Sequence, residues 1–290
     1  AIALTFGAVG LEVLFNEWNR RFYDSLQNKD EAGFWKEILT FSWLAALFIT
    51  VYVARAVVSP YLRLRWRRWL TRRYLSHWLD DRGYYRIELE RSVDNADQRI
   101  AEDLRQLGEY TMVLFLGFLQ AVATLISFIF ILWNLSGPLS LAFIGLDIVV
   151  PGYMAIAAIA YAIVGSFLAN VVGRRLIDLN FMKQRYEANF RFGLMRVREN
   201  AEGIALYGGE RRENDALNAR FVDVFNNGWR VLFTEAQLIF YQSGYNQLAI
   251  IFPFLVTAPG FFAGAITLGV MMQTASAFGQ VQTALSFFVT

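Results

Sequence analysis

Stretches of about 20 mostly apolar residues, the length that crosses a hydrocarbon layer roughly 30 Å thick, recur along this chain. Five complete ones run over approximately 38–58, 110–135, 147–172, 231–258 and 261–290, and each predicts a membrane-spanning helix. Residues Ala1 to Phe15 are equally apolar but too short to span, and no initiating methionine precedes them. They are expected to be the outer end of a helix whose start is missing. A cleaved signal peptide does not fit, because there is neither a basic leading region nor a small-residue cleavage site before the polar stretch that follows. The prediction is an all-α membrane protein with six helices, the first truncated.

The connections carry the orientation. Residues 61–105 hold eleven arginines, Arg63 through Arg105, and residues 174–230 hold eleven lysines and arginines, whereas the links near 136–146 and 257–261 hold none. An excess of basic residues marks cytoplasmic loops, so the two long basic segments face the cytoplasm. The polar stretch 19–37 sets Arg20, Arg21, Lys29 and Lys36 against Asp24, Asp30, Glu31 and Glu37, a net charge of zero that fits the outside. Counting through, Thr290 lies at or near the cytoplasmic face. Each basic segment is roughly 50 residues, far longer than ordinary connections, and is rich in helix formers. Both are predicted to be long helical extensions. The run Leu62 to Leu75 continues the second span, with Leu62, Trp66, Trp69 and Leu70 among arginines; it reads as a helix leaving the bilayer and contacting anionic membrane lipid.

Composition removes the soluble alternatives. Of 290 residues, 56% are hydrophobic, 16% aromatic and only 18% charged, too little polar surface to cover soluble domains. Cysteine is absent and His77 is the one histidine, which excludes disulfide scaffolds and thiolate metal sites and leaves no expected metal centre. No phosphate-cradling Gly-x-x-x-x-Gly-Lys loop, His-Glu-x-x-His helix or Gly-x-Ser-x-Gly elbow occurs. Nucleotide binding and catalytic residues are therefore not expected on this chain. Nucleic acid is not an expected partner either, because the basic residues adjoin spans and alternate with acids.

Charges inside spans are expensive and mark candidate function. Arg55 lies late in the second span, Asp147 at the outer mouth of the fourth and Glu235 near the inner start of the fifth. Snorkelling accounts equally for Arg55, and an interfacial position for the two acids. On the fifth span Gln237, Gln242, Asn246 and Gln247 form a polar row, with residues 242 and 246 on one helical face. Such a face suits water in a cavity or hydrogen bonds to a neighbouring helix. Arg55, Glu235, Gln242 and Asn246 are the candidate cavity residues. Small residues four apart, Ala158, Ala162 and Ser166 beside Gly165, Ala169 and Gly173, predict close helix approach.

Two loop segments carry more specific patterns. Asp94-Asn95-Ala96-Asp97-Gln98-Arg99-Ile100-Ala101-Glu102-Asp103 follows Trp78-Leu79-Asp80-Asp81-Arg82-Gly83-Tyr84-Tyr85. It resembles the first cytoplasmic loop of the ABC transporter membrane domains related to SbmA and BacA, and of the peroxisomal fatty-acyl half-transporters, with Ala96 in place of a typical proline. Gln184 to Arg191, leading to Arg198-Glu199-Asn200-Ala201-Glu202-Gly203-Ile204-Ala205-Leu206-Tyr207-Gly208-Gly209-Glu210, resembles the second loop of the same families. Phe22-Tyr23-Asp24 near the start, and Ala263 to Gly269 with Phe278-Gly279-Gln280-Val281 near the end, are similar to the SbmA and BacA group. The resemblance covers nearly the whole chain.

It implies an exporter-like six-helix transmembrane domain over residues 1–290, with a nucleotide-binding domain expected after 290 and ATP and Mg bound there. It implies a homodimer in the bacterial inner membrane that takes up peptides and other hydrophilic solutes. By the same resemblance Asp94, Asn95, Asp97, Gln98 and Arg99, and Glu202, Gly203, Tyr207, Gly209 and Glu210, couple the membrane helices to that domain. Trp133-Asn134-Leu135-Ser136-Gly137 is similar to the ATP-driven branch that includes the mycobacterial transporter of hydrophilic compounds. Were protons the driver, as in the SbmA-type carriers, Glu102, Glu187 and Glu235 would be the candidate proton carriers. An acyl-CoA or lipid half-transporter and a non-transporting membrane scaffold remain as alternatives. Enzymatic activity, as an ATP-hydrolysing translocase, would come only through the nucleotide-binding domain.

Overall fold

The computed structural model describes residues 1–90, 96–136, 138–140 and 149–287. In chain order the helices are α1 (Ile2–Gln27), α2 (Glu31–Leu79), α3 (Gly83–Glu90), the single turn α4 (Ala96–Gln98), α5 (Leu104–Leu135), α6 (Tyr153–Gly173), α7 (Arg175–Glu199), α8 (Ala201–Tyr207), α9 (Glu210–Phe262) and α10 (Leu268–Ser286). A π-helical turn, Arg99–Asp103, joins α4 to α5, and Asp80–Arg82 forms a 3₁₀ turn after α2. The chain is otherwise helical, as the all-α prediction expects; two three-residue strands, β1 (Pro138–Ser140) and β2 (Val149–Pro151), pair antiparallel. Among the described residues four helical segments, built on α2, α5, α6–α7 and α9, are long and apolar enough to cross a membrane.

The long extensions are present. At 1.5 Å per residue, the 49 residues of α2 reach about 74 Å and the 53 of α9 about 80 Å, more than twice the hydrocarbon thickness. Both helices therefore continue out of the bilayer without a break. The predicted boundaries move in three places. The stretch 19–37 is largely helical, with α1 running to Gln27 and α2 starting at Glu31, capped by Asp30, whose carboxylate accepts from the Gly33 amide at 3.0 Å. The helix expected over 147–172 begins at Tyr153, and Asp147 lies outside the described residues. The last predicted span, 261–290, holds helix α10 only from Leu268. Residues 263–267 form a turn that passes through Gly264 at φ 73°, and because they are apolar the hydropathy pattern runs through it.

The chain forms two compact units, one of Ala1–Ile159 with 252–287, the other of Ala160–Ile251. In the first, α1, α2, α5 and α10 pack together. The stripe Leu116, Ala121, Thr124, Phe128 and Leu132 of α5 and the stripe Gln273, Ala277, Phe278, Val281 and Ala284 of α10 are buried. On α5 these recur at intervals of three to five, and on α10 at three or four but for the adjacent Ala277 and Phe278, the face of a helix that meets a neighbour. In lipid, apolar side chains gain little by leaving the tails, so helix association rests on close packing and interhelical hydrogen bonds.

Such bonds gather where α1 meets α10. The first backbone amides of a helix have no partner within it, and three are satisfied at α10. The Leu268 amide donates to Gln27 Oε1 at 2.6 Å, the Gly269 amide to Asp24 Oδ1 at 3.0 Å and the Val270 amide to Thr267 Oγ1 at 3.3 Å. One turn further, Asn16 donates to the Gln273 carbonyl at 3.0 Å and Gln273 to Glu17 Oε2 at 3.1 Å. Arg20 in turn pairs with Glu17. Gly269 is required sterically, because a Cβ there would run into the Arg20 carbonyl and the Asp24 carboxylate. Gly269→Ala is expected to destabilise the detergent-solubilised protein by about 1–3 kcal/mol. Gly228→Ala, with open space around it, is expected to be neutral or slightly stabilising; the two thermal midpoints measured side by side check this.

Candidate functional site

Within the first unit the helices enclose two adjoining polar clefts. The larger, about 690 Å³, lies between α2 and α5 and is lined by Arg55, Ser59, Arg63, Gly117, Gln120 and Phe287. The smaller, about 230 Å³, lies between α1, α5 and α10 and is lined by Glu12, Gln120, Thr124, Gln280 and Thr283, with Phe287 beside them. Gly117, Gln120 and Phe287 belong to both. Helical spacing explains the convergence: Gln120 and Thr124 are four apart on α5, and Gln280 and Thr283 three apart on α10, so each pair shares a face. Arg55 Nη2 donates to Gln120 Oε1 at 2.6 Å. The Glu12 carboxylate interacts with the Thr124 hydroxyl and, through space, with the Arg55 guanidinium.

In the second unit three tyrosines bridge α6 and α9. Tyr161 and Tyr245 stack with ring centroids 4.6 Å apart. The Tyr161 hydroxyl donates to the Tyr245 carbonyl at 2.6 Å, and the Tyr241 hydroxyl to the Gly165 carbonyl at 2.7 Å. A Cβ on Gly165 would enter the Tyr245 ring, so the small-residue spacing of α6 makes room for an aromatic rather than for a second backbone. Towards the tips, Asn227 donates to the Leu179 carbonyl at 3.0 Å and Arg196 pairs with Glu213 at 2.6 Å, joining α7 to α9. The short helix α8 connects the far ends of these two long helices and ends on Gly208, whose left-handed φ of 62° a side chain would strain. Leu206 and Tyr207 on α8 are 76% and 92% exposed.

The sequence-derived candidates separate on this frame. Arg55 lines the larger cleft of the first unit. Glu235, Gln242 and Asn246 lie on α9 in the second unit, all exposed, the latter two one turn apart. Among the coupling candidates, Glu202, Gly203, Tyr207, Gly209 and Glu210 cluster on and beside α8, while Asp97, Gln98 and Arg99 are exposed at the turn before α5. Asp94 and Asn95 lie outside the described residues. The three candidate proton carriers stand in different surroundings. Glu102 pairs with Arg105 at 3.7 Å and accepts from Gln106 at 3.2 Å, Glu187 lines a groove along α7 with Lys183 and Arg191, and Glu235 is exposed on α9. Glu12, Thr124, Gln280 and Thr283 are not among the sequence-derived candidates. For Glu12 a signal exists, since it is the one charge in the apolar stretch 1–15.

Comparison with known proteins follows the same outline. The sequence model of the family described as ABC transporter transmembrane region 2 matches residues 1–262. The inner membrane ABC transporter ATP-binding protein YddA of Escherichia coli is 34% identical across 99% of this chain and 52% of its own length. The chloroplastic ABC transporter D family member 2 of Arabidopsis thaliana is 37% identical across 96% of this chain and 37% of its own. The mouse lysosomal cobalamin transporter ABCD4 is 26% identical across 84% of this chain and 38% of its own. The chain belongs to the ABC transporter transmembrane region 2 family and is a multi-pass membrane component of an ABC transporter. It spans about half, or less, of the length of these relatives.

Because the chain has no cysteine, single-cysteine variants report without background. Thiol modification proceeds through the thiolate, which needs water. Thr283→Cys, in the polar cleft, is expected to react with a water-soluble methanethiosulfonate at least about tenfold faster than Ile49→Cys, on the apolar stretch of α2. Equal rates would mean that the cleft is dry.

Proposed function

We propose that this chain is the transmembrane domain of an ATP-driven transporter of the SbmA and BacA-like group, a homodimer in the bacterial inner membrane that takes up peptides and other hydrophilic solutes. The observation that carries the reading is α8. A seven-residue helix at the junction of two long helices presents Leu206 and Tyr207 almost fully to the outside, next to the charged Glu202 and Glu210. Apolar side chains held out on a rigid strut are what a docking contact needs, and a flexible loop would lose the displacement before it reached the membrane. The partner that suits this surface is a nucleotide-binding domain. The ATP-binding name and double length of the Escherichia coli relative support that assignment.

The sequence carries no Gly-Lys pair to cradle phosphates. ATP and Mg belong to the nucleotide-binding domain, and what this chain contributes is the transmission. Closure of two such domains would draw the α8 struts together. The ion pair and hydrogen bond between α7 and α9 would carry that motion as one body toward the spans, and the access of the clefts would switch. The apolar stretch of α2 buries none of its most apolar window within the chain, a surface left for lipid or for the second copy of the homodimer.

In the full-length transporter Tyr207→Ala is expected to leave ATP hydrolysis running while solute uptake into vesicles falls about tenfold or more, because the contact that links the two is lost. Glu202→Ala is expected to act in the same direction with smaller effect. Uptake unchanged in both variants would contradict the coupling role, and no uptake by the full-length wild type would favour a non-transporting scaffold.

A further inference from the structure

The basic run that follows the apolar stretch of α2 divides between two sides of the helix. Arg63, Trp66, Arg67 and Leu70, at intervals of three, one and three, share the side turned to α5 and to the π-helical turn before it. Arg63 pairs with Glu109 at 3.8 Å, Arg67 donates to the Ala101 carbonyl at 3.4 Å, the Trp66 ring lies close to Gly108, and Leu70 is buried. Arg65, Arg68 and Arg72, three and four apart, fall on the opposite side. All three are exposed, and among the described residues none of them has an ion pair or a hydrogen bond. α2 carries no acid between Tyr61 and Leu79 to offset them, and like charges at this spacing work against the helix. An anion held from outside removes that repulsion.

Depth along the helix names the anion. Tryptophans gather at the two membrane–water interfaces. Trp35 and Trp66 of α2 are about 46 Å apart at 1.5 Å per residue, against about 40–45 Å for a bilayer with its headgroups. Trp66 therefore marks the edge of the headgroup layer where α2 leaves it, and Arg65 and Arg68 lie within one turn of that edge. Side chains of a helix lean towards its N-terminus, which on α2 is back towards the lipid. Arg72, about 9 Å past Trp66, stands at the limit of a Debye length. Tyr61 and Leu64, both exposed, adjoin the ridge on its bilayer side. We propose that Arg65 and Arg68, with Tyr61 and Leu64 beneath them, form a binding site for an anionic phospholipid, its phosphate between the two guanidinium groups and its acyl chains along the tyrosine and the leucine. A basic segment drawn as a whole to a charged leaflet would not tell one side of the helix from the other, whereas a site does. The inference is independent of which solute crosses and of what drives it.

The test is photo-crosslinking of the full-length protein in phosphatidylcholine nanodiscs, without nucleotide. Trace phosphatidylglycerol or phosphatidylcholine, each with a photoactivatable acyl chain, is the probe, and mass spectrometry reads the adducts on residues 58–75. One arginine near an anionic surface is worth about fivefold, so the wild type is expected to take up phosphatidylglycerol at least about fivefold over phosphatidylcholine at this segment. Arg65→Gln and Arg68→Gln are each expected to lower that preference by about threefold or more, and the double variant to abolish it. Arg67→Gln removes the same charge at the same depth from the side turned to α5, and is expected to change the preference by less than about twofold. Inorganic phosphate added at constant ionic strength is expected to leave the wild-type preference intact. Equal labelling of the wild type by the two lipids, a preference that survives the double variant, an effect of Arg67→Gln as large as that of Arg65→Gln, or displacement of the lipid by inorganic phosphate would each overturn the proposal. The wild-type comparison and the phosphate arm decide it even where a variant fails to fold. A protein that shows this preference yet takes up no solute would keep the site and lose the transport reading.

Discussion

The start of α10 finds partners for its first amides on α1, and the rest of the first unit follows from how it does so. Asp24 and Gln27 of α1 accept from the first two amides, and Asp24 also places a carboxylate at the positive end of the helix. That fixes the rotation and height of α10 against α1. Asn16 and Gln273 repeat the attachment one turn on, and Gly269 keeps the backbones close enough for both. Only with α1 and α10 held in this register do Glu12, Gln280 and Thr283 face one space with Thr124 of α5. The polar cleft is a consequence of the seam.

In the second unit the same need for polar satisfaction serves a different end. Tyr161 and Tyr241 direct their hydroxyls to carbonyls on the opposite helix, and the stacked rings hold α6 and α9 apart at a fixed distance. Farther along, one asparagine and one arginine join α7 to α9. Long helices tied at intervals move as a body. Exposed ion pairs such as Arg196 with Glu213 contribute little stability; their role here is to set register between two long helices.

Much of the architecture is legible in the sequence because apolar windows and basic connections report on lipid and orientation directly. The long extensions were readable from the helix formers around Arg63 to Arg73 and Arg174 to Arg198, and α2 and α7 contain them. The break before α10 is not readable by hydropathy, since Ala263, Ile266 and their neighbours are as apolar as the spans beside them. Asp24 and Gly269 lie 245 residues apart, and that one accepts a hydrogen bond from the other is a tertiary fact. Likewise Arg55 stood out as a charge in a span, whereas Thr124 and Thr283 are unremarkable until three helices bring them together. The row Gln242 and Asn246 has the spacing of a face, and the structure leaves that face exposed on α9.

The central claim is that these helices are the membrane half of an ATP-driven machine. The most direct measurement is the intact mass of the native polypeptide isolated from its own membranes, set against the 33.2 kDa of these 290 residues. The account predicts an excess of a further domain, on the order of 200 residues or more, carrying nucleotide-binding activity. An excess of a few tens of residues, with no ATPase subunit copurifying, would contradict it.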